Sequence, residues 1–384
     1  MPAQERCPEI RTEIRKFCSQ YGDEYWRNLD KEHRYPEKFV DDLTKAGWLA
    51  ALIPSEYGGS GLSITEASVI LEEINRSGGN AAACHAQMYI MGSLLRHGSP
   101  EQKQRYLPSI ASGELRLQAF GVTEPDAGSD TTHITTSAHR EGDYYIVNGG
   151  KIFTSRVQHS DMLLLLARTT PYEQSEKKTL GMSIFLVDLR EAGDSIEVRP
   201  IDTMLNHETN QLFFRDLKVP TENLIGEEGK GFYYILDGMN AERILVASEA
   251  IGDARWFIKR AVQYGNEREI FGRPITKNQG IQFPIALAYA QTEAADLMRF
   301  RAADLFDAEE ACGPEANMAK LLCSQASWAA ANATIDTYGG YGFATEYDVE
   351  RKFRECRLFT IAPISNNMVL NFIAEHVLGM PRSY

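Results

Sequence analysis

Two adjacent charges, Glu242 and Arg243, interrupt the apolar face of Leu236-DGMNAERILVAS. At 100° per residue, Phe232, Ile235, Leu236, Met239, Val246 and Ala250 align as one stripe, with Arg243 inside it and Glu242 on its edge. A carboxylate desolvated at such a place has its pKa raised toward the range useful for taking a proton at neutral pH. The same pair also fits a Glu242 turned to solvent beside an Arg243 held in a structural ion pair. Spacing alone leaves both readings open.

Phe120-GVTEPDAGSD packs Thr, Gly, Ser and Asp into one turn after an apolar run. Gly128 would let a ligand approach the backbone, and Thr123 and Ser129 would offer hydroxyls to a polar ring or a phosphate. A solvated Pro-Asp-Gly-Ser turn has the same composition. Arg268-EIFGRPITKNQGIQF and, some way on, Tyr338-GGYGF combine an arginine with adjacent glycines, which also fit a surface charge and a helix C-cap. The chain has no H-E-x-x-H, G-x-S-x-G or P-loop pattern, and its eight histidines are scattered without metal-site spacing, so metal, triad and P-loop chemistry are disfavoured.

The elements that must position these residues follow an α, β, α order. Residues 1–117 repeat apolar residues at three and four, as in Pro36-EKFVDDLTKAGW and Ile64-TEASVILEEINR. Residues 118–225 change to short β-rich runs separated by turn clusters: LQAFGV, YYIVNG, MLLLLA, SIFLVDL, IEVRPI and QLFFRDLKV. Six strands without intervening helices predict a small antiparallel barrel or sandwich. Residues 226–384 return to the helical period, with long helices expected at 232–264, 282–308 and 315–337. The fold class is thus α+β, multidomain.

The 384 residues are 43% hydrophobic and 24% charged, an ordinary globular composition. No apolar run approaches the roughly 20 residues that span a bilayer. A net charge of −13 disfavours nucleic acid while leaving room for a small anion held by local arginines. The six cysteines form no C-x-x-C, and the first residues carry too many acids for a transit peptide, so the expected location is the cytoplasm.

Together, Ile53-PSEYGGSGL, Thr123-EPDAGSD, Tyr145-IVNGGKIFTS, Val219-PTENLIGEEGKGF, Arg268-EIFGRPI and Gly339-GYGFATEYDVER resemble the acyl-CoA dehydrogenase family in order and spacing, over essentially the whole chain. The resemblance implies a helical N-terminal domain, a middle β-barrel and a C-terminal four-helix bundle, FAD as cofactor, and a homotetramer. It implies that Phe120, Val122 and Thr123 meet the flavin ring, that Phe153 and Ser155 cover its other edge, and that Gly128 and Ser129 lie by the pyrophosphate. Ser129 and Arg243 would also reach the substrate. Arg268, Phe271, Gln279, Gly339 and Gly340 would contact the adenosine half of FAD from a neighbouring subunit. The partners implied are an acyl-CoA and an electron-transfer flavoprotein, with the reaction giving a trans-2-enoyl-CoA. Rival readings are a flavin-dependent monooxygenase or oxidase on the same fold and a non-catalytic flavoprotein related to DNA-associated alkylation-response proteins.

The chain departs from the family where many members carry a catalytic glutamate in Glu-Gly-Thr, because Arg354-ECRLFTIAPISNNM places Pro363 there. Proline can neither take a proton nor donate an N–H to the thioester carbonyl. A second arrangement in the family puts the base immediately before an arginine on the first helix of the C-terminal domain, which here is Glu242. Asp336, Arg156 and Met204-LNHETN are smaller departures, His207 reading as a loop histidine.

Overall fold

The structure is a computed structural model in which residues 6–383 are described. Six helices come first: α1 (Pro8–Cys18), α2 (Asp23–Glu32), α3 (Glu37–Lys45), α4 (Ile64–Arg76), α5 (Ala82–His97) and α6 (Pro100–Ser112). Local chemistry fixes several of their ends. Ser63 and Glu66 form a capping box on α4, as Ser99 and Gln102 do on α6, where Pro100 at the first turn lacks only an N–H that the helix would leave unpaired.

Eight strands follow in one sheet: β1 (Leu117–Gly121), β2 (Ser137–Glu141), β3 (Tyr144–Ser155), β4 (Met162–Arg168), β5 (Met182–Asp188), β6 (Ile196–Pro200), β7 (Thr209–Pro220) and β8 (Leu224–Ile225). The order is β6-β7-β3-β2-β4-β5-β8, with β1 pairing β4. All six expected strands are present. The pairing is mainly antiparallel, but β1 lies parallel to β4, and β2 meets it in parallel at Ser137 and Arg168. Two strands escape the apolar pattern. β2, SAHRE, is exposed at four of its five residues, and β8 has only two residues.

The run MLLLLA is apolar throughout because β4 is covered on both faces. Met162, Leu164 and Leu166 join Ile184, Leu186 and the α5 residues Ile90, Met91 and Leu94 in one cluster. Leu163, Leu165 and Ala167 join Tyr145, Val147, Phe185, Leu212 and Phe214 in another.

The remainder is helical: α7 (Gly231–Glu267), a short hairpin of β9 (Glu269–Ile270) and β10 (Arg273–Pro274), α8 (Gln279–Asp307), α9 (Gly313–Tyr338), α10 (Val349–Arg357) and α11 (Asn366–Phe372). The three long helices fall within three residues of their expected ends. At the start of α7, a Cβ on Gly231 would lie 2.6 Å from the Ser183 carbonyl carbon, so glycine is what lets this turn sit against β5.

The chain divides into two compact units. One comprises Met1–Glu32, Ser63–Ala81 and Asn240–Tyr384, and the other His33–Leu62 and Ala82–Met239. In the first, Glu72 of α4 is fully buried and accepts from Arg11 at 2.8 Å, Arg299 at 2.9 Å and also Arg255, while Asp296 accepts from Arg255 and Arg299 at 2.8 and 2.7 Å. Four helices are thereby pinned through charges that leave few polar groups unmatched. No helix among the described residues is long and apolar enough to cross a membrane.

Candidate active site

The turn Thr123–Asp130 is fastened to β3 by a lysine that the sequence reading passed over. Lys151 is fully buried, and its ammonium donates to Glu124 at 2.8 Å and to the Val122 carbonyl at 3.1 Å. Glu124 also accepts from the Thr135 and Thr136 amides at 2.7 and 2.9 Å. Burial opposes charge on this carboxyl, but Lys151 and these donors outweigh it and hold it down to about 2. One more bond, Ile152 N–H to the Thr123 carbonyl at 2.8 Å, completes the attachment. The Thr-Glu-Pro-Asp sequence is therefore more than a solvated turn: its glutamate is a buried anchor.

This anchoring brings the expected barrel residues into two connected segments of one unit. Phe120 and Val122 are partly buried at the end of β1, with Phe120 edge-on to Tyr89 at 5.7 Å. Phe153 is 62% exposed and sits in the left-handed region at φ 58°, so an aromatic ring stands clear of β3 at a strained position. Ser155 pairs with Thr209. Gly128 and Ser129 are exposed in the turn, and a Cβ on Gly128 would meet only Thr123, at 3.9 Å. Ring-sized apolar surface, hydroxyls and open backbone together are the donor set a flavin mononucleotide half requires, and these residues fit FAD on that ground.

Arg156 has φ 60°, in the left-handed region that few residues besides glycine and asparagine adopt readily. Its guanidinium lies 3.1 Å from His207 Nδ1. His207 is thus held rather than loose, and burial, followed by the Arg156 and His85 charges, keeps its pKa well below the ordinary range.

In the other unit, a cavity of about 830 Å³ is lined by Arg268, Phe271, Gly339 and Gly340, with Tyr264 and Tyr341 among its walls. Gln279, the first residue of α8, stands between the lining residues Asn278 and Ile281. Nothing lies within 4 Å of a Cβ placed on Gly339 or Gly340, and Gly339 has φ 58°. The aromatic walls, the guanidinium and the bare glycine backbone fit an adenine nucleotide, the other half of FAD. Gly339 caps α9 and, with Gly340, lines this cavity.

Glu242 and Arg243 occupy the same unit. Glu242 is 6% exposed, which overturns its reading as a side chain turned to solvent. Its neighbours Ala241, Ile244 and Leu245 are buried too, so this stretch of α7 has little exposed face. Arg243 donates to Asn240 Oδ1 at 3.0 Å, while its Nε is buried with no hydrogen-bond partner. Burial lowers the pKa of Arg243, against the pull of Glu242. The Ala362–Pro363 peptide is cis, and neither residue offers a carboxylate. Among the described residues, no group of three or more His, Cys, Asp or Glu side chains is placed to hold a metal.

Family models match nearly the whole chain: acyl-CoA dehydrogenase N-terminal domain at 4–114, middle domain at 119–217 and C-terminal domain at 229–378. The chain is 34% identical over 378 residues to acyl-CoA dehydrogenase FadE12 of Mycobacterium tuberculosis, covering 98% of this chain and 96% of that protein. It is 34% identical over 356 residues to the caffeyl-CoA reductase-Etf complex subunit CarC of Acetobacterium woodii, covering 91% and 93%. A solved glutaryl-coenzyme A dehydrogenase in complex with glutaryl-CoA superposes with a TM-score of 0.91 at 30% identity, covering 99% and 96%. With family models matched to three successive domains over nearly the whole chain, the chain belongs to the acyl-CoA dehydrogenase family of FAD-dependent oxidoreductases.

Proposed function

We propose that the protein dehydrogenates an acyl-CoA between Cα and Cβ, with Glu242 as the base and a trans-2-enoyl-CoA as the product. The observation that carries this reading is a glutamate buried on α7 beside an arginine, in a chain whose usual base position is Pro363. FAD, when bound, supplies the acceptor for the hydride that leaves Cβ. The Glu242 carboxylate takes the α-proton onto a side-chain oxygen. Its burial keeps water away from the carboxylate and leaves fewer competing proton donors. Arg243 contributes a donor, Nε, that the chain itself does not satisfy, which suits it to the acyl-CoA.

Phe120, Val122 and Thr123 orient the ring, Phe153 and Ser155 bound its far edge, and Gly128 and Ser129 receive the phosphates, Ser129 also reaching the thioester ligand. The cavity with Arg268, Phe271, Gly339 and Gly340, flanked by Gln279, serves the adenosine half belonging to a neighbouring copy in a homotetramer. The relative that works in a complex with an electron-transfer flavoprotein supports the same class of electron acceptor here. A buried base favours dehydrogenation over the monooxygenase reading, which needs none.

Denaturing the purified protein should release FAD, one per chain; FMN or no flavin would contradict the reading. Arg268→Ala should retain FAD less tightly, because a charge-assisted hydrogen bond is worth about 1.5–3 kcal/mol, a tenfold or greater loss of affinity. Unchanged FAD content in an intact oligomer would remove Arg268 from the site.

A further inference from the structure

Asp348 opens α10 with φ 61°, a left-handed conformation that an aspartate adopts only at some cost in energy, and its side chain is fully buried. Such a conformation persists where the surroundings hold it. Two arginines do so here. Arg27 of α2 donates from one nitrogen to Asp348 Oδ2 at 2.6 Å and to the Glu346 carbonyl at 2.9 Å. Arg351, itself buried, donates to Asp348 Oδ1 at 3.2 Å and to the Gly78 carbonyl, in the turn after α4, at 2.9 Å. The chain is thereby held at Glu346 and at Asp348, and the residue enclosed between them is Tyr347.

The Tyr347 ring meets three other tyrosines. It lies edge-on to Tyr338 at 5.7 Å and to Tyr264 at 6.4 Å, which stack on each other at 4.0 Å, and it is tilted against Tyr341 at 5.3 Å. All three line the cavity that holds Arg268, Gly339 and Gly340. The Arg268 guanidinium is in turn 5.8 Å from the centre of the Tyr341 ring. We infer that Arg27 and Asp348 are positioning residues for this cavity, fixing Tyr347 against its aromatic wall so that Tyr341 and Arg268 are in place before FAD binds. The inference rests on the cavity receiving the adenosine half of FAD. A wall already ordered when the nucleotide arrives lowers the entropic cost of binding. Arg27 thus makes cofactor retention depend on α2, which lends no residue to the cavity lining among those described.

The test is the rate at which diluted holoenzyme releases FAD, read from the fluorescence of the freed flavin, for Arg27→Gln, Arg27→Lys, Tyr347→Leu, the Arg27→Gln Tyr347→Leu double variant and Arg268→Ala. Arg27→Gln should release FAD about three- to tenfold faster, the size of losing one aromatic contact in the wall. Arg27→Lys keeps a charge beside Asp348 and should restore most of the difference. Tyr347→Leu should release FAD at least as fast as Arg27→Gln, and the double variant no faster than Tyr347→Leu alone, because both changes remove the same support. Losses that multiply in the double variant would show Arg27 acting on general stability and would overturn the inference. Release at the wild-type rate by Arg27→Gln, with faster release by Arg268→Ala, overturns it too and leaves the cavity assignment standing. Unchanged release by Arg268→Ala would instead overturn the assignment on which the inference rests. Should Arg27→Gln fail to fold, Tyr347→Leu, whose arginine clamp is intact, decides alone: release at the wild-type rate overturns the inference.

Discussion

Glu242→Gln should slow flavin reduction by acyl-CoA by about 10²–10⁴, the usual consequence of losing a general base, while leaving FAD content unchanged. Glutamine preserves the volume and much of the hydrogen bonding of a side chain that is 6% exposed, so the helix around Ala241, Ile244 and Leu245 has no reason to rearrange. What is lost is basicity. Pro363→Gly provides the contrast. It alters the segment where relatives carry their base but removes no proton acceptor, and its cost should be far smaller. Rapid mixing of each variant with the best acyl-CoA, following flavin absorbance, gives both values. Equal loss in the two variants would mean that the substitutions act through distortion.

Lys151→Met is expected to be the most destabilising single change in the β-rich unit. Lys151 is fully buried and Glu124 nearly so, and removing one member of such a pair strands the other charge at about 3–5 kcal/mol. Because Glu124 fixes the Thr135 and Thr136 amides and Lys151 holds the Val122 carbonyl, FAD retention should fall as well. The sign with pH follows from Glu124. Its carboxyl is held down to about 2, below the ordinary carboxylate range, so its stabilising contribution is present above that range and is lost as pH falls through it toward 2. Urea unfolding of wild type and variant at pH 7 and pH 3.5 should show the gap narrowing at the lower pH. A double variant, Glu124→Gln with Lys151→Met, should recover part of the loss, since no buried charge then lacks its partner.

Much of this architecture was legible because burial follows periodicity. The α7, α8 and α9 segments repeat apolar residues at helical spacing over more than twenty residues, enough for their ends to be placed closely. β4 stood out because both its faces are covered. β2 did not, since SAHRE is exposed and is held by pairing with β3 rather than by burial, and β8 is too short for any period to show. The ligand-facing turns were visible as composition, yet what fixes them was not. Lys151 carries no local signal of its role, because nothing near it in the sequence announces that a distant carboxylate will receive it. The same holds for Glu72, whose three arginine partners come from α1, α7 and α8. Glu242 was ambiguous for a related reason: a charge on the edge of an apolar stripe faces solvent or core depending on which helices cover it.

The most direct measurement is anaerobic titration of the oxidised holoenzyme with a panel of acyl-CoA thioesters differing in chain length and branching. At least one member should bleach the flavin absorbance within the mixing time and yield its trans-2-enoyl-CoA, and the electrons should then pass to an added electron-transfer flavoprotein. A flavin that stays oxidised with every thioester, or a product bearing an inserted oxygen atom when air is admitted, would contradict α,β-dehydrogenation as the activity of this protein.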